Sequence, residues 1–132
     1  MSTNARISFE RSDGTVRSIY CHNDGYPNYV GRILSEHYDK SNLNVLMDLG
    51  DLSVLGPFPA SYPEGWKTFD YDDDYCLAYK DRGETDVEAK EYSNLKDFEE
   101  HTSWCEYNYL YSGGRWYVWE YDNINHKQPL FF

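Results

Sequence analysis

The run Tyr20-Cys21-His22-Asn23-Asp24-Gly25-Tyr26-Pro27 holds the side chains of this chain best suited to chemistry. Cys21 beside His22 has the composition of a thiol–imidazole pair. On a strand, neighbours in sequence point to opposite faces, so the two do not readily form one dyad. His22 and Asp24 are two apart and can orient one another. His22 could also share a metal with His37 or His101, but no Cys-x-x-Cys or His-x-x-x-His spacing supports one. No nucleophile elbow or P-loop is present either. The residues favour a structural reading. His22 or Asp24 hydrogen-bonds the turn, Gly25 supplies a positive φ, and Tyr26 and Pro27 start a helix. The expectation is a non-enzymatic protein with no metal and no cofactor. If the segment binds a small ligand instead, His22, Asp24 and Tyr26 form the pocket, for a nucleotide or signal molecule whose base stacks on aromatics.

A second candidate is Asp70-Tyr71-Asp72-Asp73-Asp74. A calcium loop of the EF-hand type needs Gly at its sixth position and Glu at its twelfth. Counted from Asp70, those positions are Tyr75 and Asp81, so the pattern fails. The charge itself is more informative. The chain has 12 Lys and Arg against 23 Asp and Glu, a formal net charge of −11. Residues 70–106 alone hold 13 acids and 4 bases, a net of −9. Such a balance argues against direct binding of nucleic acid, which requires Lys and Arg to neutralise phosphates. It argues equally against an anionic membrane surface. A dense acidic surface repels itself, and one reason to keep it is a basic partner. The binding surface expected on this ground comprises Asp70, Tyr71, Asp72, Asp73, Asp74, Tyr75, Glu84, Asp86 and Glu88. Trp116 and Trp119 of a C-terminal hairpin join it as aromatic anchors.

The elements that must position these residues read as one α+β domain over 1–132, with the acidic segment at about 70–106. The length suits a single domain. Aromatics make up 18% of the chain, with 14 Tyr and 4 Trp, which separates it from disordered acidic chains. Residues 5–11 and 16–22 alternate and flank Asp13-Gly14, a hairpin signal. A helix is expected from Pro27 to about Tyr38, with Val30, Ile33, Leu34 and His37 on one stripe. Gly31 inside it implies a close neighbour. A second helix, capped by Ser41, runs to about Leu49 before Gly50. Residues 51–56 add a short turn. Phe58, Tyr62 and Trp66 pin a proline-rich loop over 57–66. Tyr75–Lys80 reads as a strand with 87–92 as its partner, and Ser93 caps a helix over 94–101. Residues 104–111 and 115–121 flank Ser112-Gly113-Gly114 as a hairpin with bulky residues on both faces, so both are expected to be covered, one of them by a partner. Trp116, Val118 and Glu120 share one face, and Tyr117, Trp119 and Tyr121 the other. The order implies an antiparallel sheet with two to three short helices packed on one face.

The signature around Cys21 resembles one in short uncharacterised proteins of phages and prophages. Their pattern is Tyr-Cys-His-x-Asp-Gly-Tyr-Pro, then Val-Gly, a Leu and a Tyr. Here these are Tyr20 to Pro27, Val30-Gly31, Leu34 and Tyr38, with Leu49-Gly50-Asp51-Leu52-Ser53 extending the match. The resemblance covers roughly residues 3–56, and Asn23 stands where many of those proteins carry Trp. It implies a phage setting, where small acidic proteins are often inhibitors of host machinery. The function expected is therefore inhibition of a basic host protein, one of defence or nucleic-acid handling, by an anti-CRISPR-like or DNA-mimic-like surface. Met1 to Arg6 lacks the apolar stretch of a signal peptide, and Cys21, Cys76 and Cys105 make an odd set. Reduced thiols in the host cytoplasm are expected. The apolar end, Pro129-Leu130-Phe131-Phe132, also makes a homodimer an expectation.

Overall fold

The structure, a computed structural model, describes residues 3–70 and 72–131. Tyr71 and Phe132 therefore lie outside the described residues. Strands β1 (Ala5–Glu10) and β2 (Val16–Cys21) form the first hairpin, with Ile7 opposite Ile19. Strands β6 (Tyr107–Ser112) and β7 (Arg115–Glu120) form the last. Gly113 and Gly114, at φ 60° and 83°, make its two-residue turn. Two successive left-handed residues match the twist of the strands they join, and glycine adopts that conformation without steric cost.

The two hairpins are stitched together by a parallel pairing of β1 with β6, Ile7 opposite Tyr109. Beside β2 lie β3 (Leu52–Val54), parallel, and β4 (Leu77–Ala78), antiparallel to β3. Strand β5 (Lys90–Tyr92) pairs with the other stretch of β2, Ser18 opposite Lys90. Strand β8 (Gln128–Pro129) closes the far edge against β7. The order along the sheet is β4-β3-β2-β1-β6-β7-β8, with β5 off this path on β2. The α+β class is as expected. The sheet is mostly antiparallel, with two parallel pairs that local sequence does not announce. Residues 52–54, expected as a turn, are a strand. The strand expected over 75–80 is confined to Leu77–Ala78 and gives way to a 3-10 turn over Tyr79–Arg82. Residues 90–92 pair with β2 and not with it.

A π-helical turn (Pro27–Gly31) leads into α1 (Arg32–His37), followed by α2 (Leu43–Asp48). Ser41 is not the cap of α2. Asn42 precedes the helix, and Ser41 donates its backbone N–H to Asp39 Oδ1 at 2.8 Å. These elements cover the sheet face that carries Ile7, Phe9, Ile19, Tyr109 and Trp116. The third helix, α3 (Leu95–His101), covers the opposite face, over Val16, Leu110 and Trp119. Helices thus lie on both faces, in place of the one expected. The reason is in the register: Leu110 and Trp119 project away from Tyr109 and Trp116, and apolar side chains on both sides of a hairpin need a cover on each. Asn94 caps α3 by accepting the Asp97 N–H at 2.8 Å, while Asp97 accepts the Ser93 N–H at 2.8 Å. Phe98, fully buried, anchors the helix edge-to-face against Tyr92 and Trp104.

Phe98 is the sole fully buried residue of α3, so Phe98→Ala removes most of what holds that layer. A cost of about 3–5 kcal/mol is expected in urea unfolding, the range for emptying an aromatic core site. A cost near zero would mean that α3 is not part of the cooperative core.

Candidate functional site

The signature segment is built into the frame of the fold. Cys21 is fully buried on β2, and burial pushes its thiol up to about 12. His22 is exposed just beyond the strand, with Nδ1 2.7 Å from the Tyr20 hydroxyl. The two therefore do not form a dyad. The positive φ of this turn falls on Asp24, at 58°, and not on Gly25 as expected. Gly25 is needed for close approach. A Cβ there would lie 2.7 Å from the Ala5 Cβ and from the Asn4 backbone. Tyr26 is exposed, and Pro27 opens the π-helical turn. A cleft lies beside Pro27, but His22, Asp24 and Tyr26 do not line it. Among the described residues no three His, Cys, Asp or Glu side chains gather as metal ligands.

Cys76 and Cys105 are buried free thiols as well. The Cys76 Sγ accepts the Gly56 N–H at 3.2 Å, and burial pushes the thiol up to about 11. A nucleophilic cysteine needs the opposite environment, exposed and electropositive.

The acidic residues form the more coherent assembly. Three stretches of chain meet at the β4 edge of the sheet. Asp51, just before β3, donates its N–H to the Val87 carbonyl at 2.7 Å, and its own carbonyl accepts the Tyr79 N–H at 3.1 Å. Tyr79 stacks on Trp66, ring centroids 5.9 Å apart. The Arg82 guanidinium lies over both rings, 4.9 Å from Trp66 and 5.2 Å from Tyr79. This stack ties the loop around 66 to the 3-10 turn, and Asp51 ties that turn to the loop around 87. Tyr75 packs against Tyr62, 5.5 Å between centroids, so it braces the loop that carries Asp70 to Asp74. Tyr62 is buried in that brace, while Phe58, expected to pin the loop, is 53% exposed.

Carboxylates project from this scaffold. Asp73 pairs with Lys67 at 3.1 Å, and Glu84 pairs with Arg82. Asp70 Oδ1 accepts the Asp72 N–H at 3.0 Å. Asp72, Asp74, Asp81, Asp86 and Glu88 have no ion-pair partner among the described residues. Asp70, Asp72, Asp74, Glu84, Asp86 and Glu88 are exposed. The structure thus ties together the loops that carry the acidic residues named from sequence, through Asp51, Trp66, Tyr79 and Arg82. An aromatic and a base sixteen residues apart carried no local signal of their stacking.

Trp116 and Trp119 leave the candidate surface. Trp116 is 7% exposed, donates Nε1–H to the Tyr38 carbonyl at 3.0 Å, and lies under α1. Trp119 is 3% exposed and packs edge-to-face on Trp104 under α3. Both faces of the hairpin are covered, as expected, but the second is covered by the chain's own third helix in place of a partner.

Two expectations follow. At mildly alkaline pH, Ellman's reagent should find no fast-reacting thiol in the native protein and three after unfolding; a fast native thiol would restore the case for a cysteine centre. The second concerns Asp51. Burial holds its carboxyl above the ordinary carboxylate range, with Glu88 adding to the shift, against the Tyr20 N–H bond, Arg6 and Lys90. The folded state then binds more protons than the unfolded one above the ordinary range, so stability falls as pH rises through that window. Asp51→Asn keeps an acceptor for the Tyr20 N–H and removes the charge. It should be the more stable protein at neutral pH in urea unfolding, with a flatter pH dependence; a less stable variant would contradict the burial argument.

Among the described residues no helix is long and apolar enough to cross a membrane. Comparison with protein-family models, curated proteins and solved structures found no match.

Proposed function

We propose that this protein acts by binding, its β4 edge docking on the basic surface of a protein that handles nucleic acid. Carboxylates there take the ground that phosphates otherwise occupy, so the effect is inhibition of a DNA-mimic kind. In the phage setting that the signature implies, the partner is a host defence or nucleic-acid-acting protein in the cytoplasm, as in anti-CRISPR action. One observation carries the reading: exposed carboxylates without ion-pair partners among the described residues sit on separate stretches of chain that the stack of Trp66, Tyr79 and Arg82 and the bonds of Asp51 tie together beside β4. A braced display loses little freedom on docking, which lowers the cost of association. Buried thiols, together with His22 engaged by Tyr20, favour binding over catalysis.

The test compares capture of host-lysate proteins by the tagged wild type and by Asp72→Lys/Asp73→Lys/Asp74→Lys, at low and high salt. The wild type should hold a basic nucleic-acid-binding protein that high salt releases. Triple reversal should weaken that complex by about tenfold or more, since like charges facing across an interface cost several kcal/mol. Equal capture by the reversed variant, with its fold confirmed by circular dichroism, would overturn the proposal.

A further inference from the structure

The helical layer does not cover its face of the sheet completely. Past the π-helical turn, where β6 begins and β7 ends, a cleft of about 420 Å³ opens onto the sheet. Tyr107, Val118, Pro27 and Glu120 are among the residues that line it, together with Trp119, Asn123, His126 and Gln128. The register explains the grouping. Tyr107 is directly opposite Glu120 on the β6–β7 ladder, and Val118 is directly opposite Gln128 on the β7–β8 ladder. Directly opposed residues share a face with Cβ atoms about 5 Å apart, so the Tyr107 and Glu120 side chains leave the sheet as neighbours, and the Glu120 charge is felt at the Tyr107 phenol.

We propose that this cleft binds an organic ammonium group, held between the ring of Tyr107 and the carboxylate of Glu120. The cleft has the size range of small-ligand sites. An aromatic face attracts a cation through its quadrupole, and a neighbouring carboxylate adds charge attraction. Glu120 has no ion-pair partner among the described residues, nor has Glu106 on the adjoining loop. The nearest lysine in sequence does not fill the cleft, because Lys127 Nζ reaches over Tyr117, on the other face, at 6.0 Å. Burial raises the Tyr107 phenol above its ordinary range, and the negative charges of Glu120 and Glu106 raise it further, the sign of field that favours a cation. Pro27 and Val118 supply apolar walls for the methylenes that carry an ammonium head. A bare metal ion is a poorer match, since a single carboxylate lines the cleft. The site sits toward the β8 end of the sheet, away from the β4 edge, and stands or falls independently of the acidic surface.

The ammonium can belong to a free diamine or to a lysine side chain of another protein, and two probes separate these sources. Isotope-labelled full-length protein is titrated with putrescine and with N-acetyl-lysine N-methylamide, with sodium chloride at matched ionic strength as control. Saturable shifts of the Tyr107, Val118 and Gln128 amides are expected, unreproduced by salt. Response to putrescine alone assigns the site to free diamines; response to both admits a lysine side chain. Glu120→Gln, at an exposed position, should weaken binding by about fivefold or more, while Tyr107→Phe should keep it within about twofold because the ring remains. Shifts that salt reproduces, the absence of saturation with both probes, or unchanged affinity in Glu120→Gln would overturn the proposal.

Discussion

The hydroxyl of Tyr109 and the backbone of Gly25 meet at 2.8 Å across 84 residues of sequence, and much of the fold depends on that meeting. Tyr109 is fully buried at the centre of the sheet, opposite Ile7 on β1 and Val118 on β7. A buried phenol left unpaired costs its desolvation, so the Gly25 carbonyl must be where it is. The Gly25 N–H in turn donates to the Thr3 carbonyl at 2.8 Å. Above the ring, a Cβ on Gly31 would come within 3.2 Å of it. One side chain thereby fixes the first strand, the signature turn, the π-helical turn and the last hairpin together. Burial also raises the Tyr109 phenol far above its ordinary range, so it stays a donor at any working pH.

This arrangement separates frame from surface. Two residues of the signature run, Cys21 and Gly25, are built into the frame. The acidic residues named as a binding surface are carried elsewhere, on loops tied together beside β4. Self-repulsion among carboxylates there is resisted by a stack of two aromatic rings and a guanidinium, interactions that salt weakens less than exposed ion pairs.

What was legible in the sequence was local. Asp13-Gly14 and Gly113-Gly114 each announced a hairpin, and both hairpins are present. Periodicity over 27–38 and 41–49 announced two helical stretches, and the implied close neighbour of Gly31 proved to be Tyr109 with Leu130. What was not legible was long-range. Leu52-Ser53-Val54 is buried throughout and so lacks the alternation that marks a half-buried strand. The parallel joining of β1 to β6 spans about a hundred residues and leaves no trace in either segment. Trp116 and Trp119, three apart on one strand, fall on opposite faces by the period of two, but composition alone could not say that α3 would cover the second. For the candidate site, the acidic residues were readable as charge density, whereas the brace of Trp66, Tyr79 and Arg82 exists only once the loops are folded together.

Native-state hydrogen exchange would test the central claim, that the Tyr109–Gly25 junction closes the whole frame. The account predicts that the Gly25 amide and the paired amides of β1 and β6 exchange only through global unfolding, with the same free energy and the same denaturant slope. A partial opening that frees β6 and β7 while β1, β2 and the signature turn stay protected would contradict it.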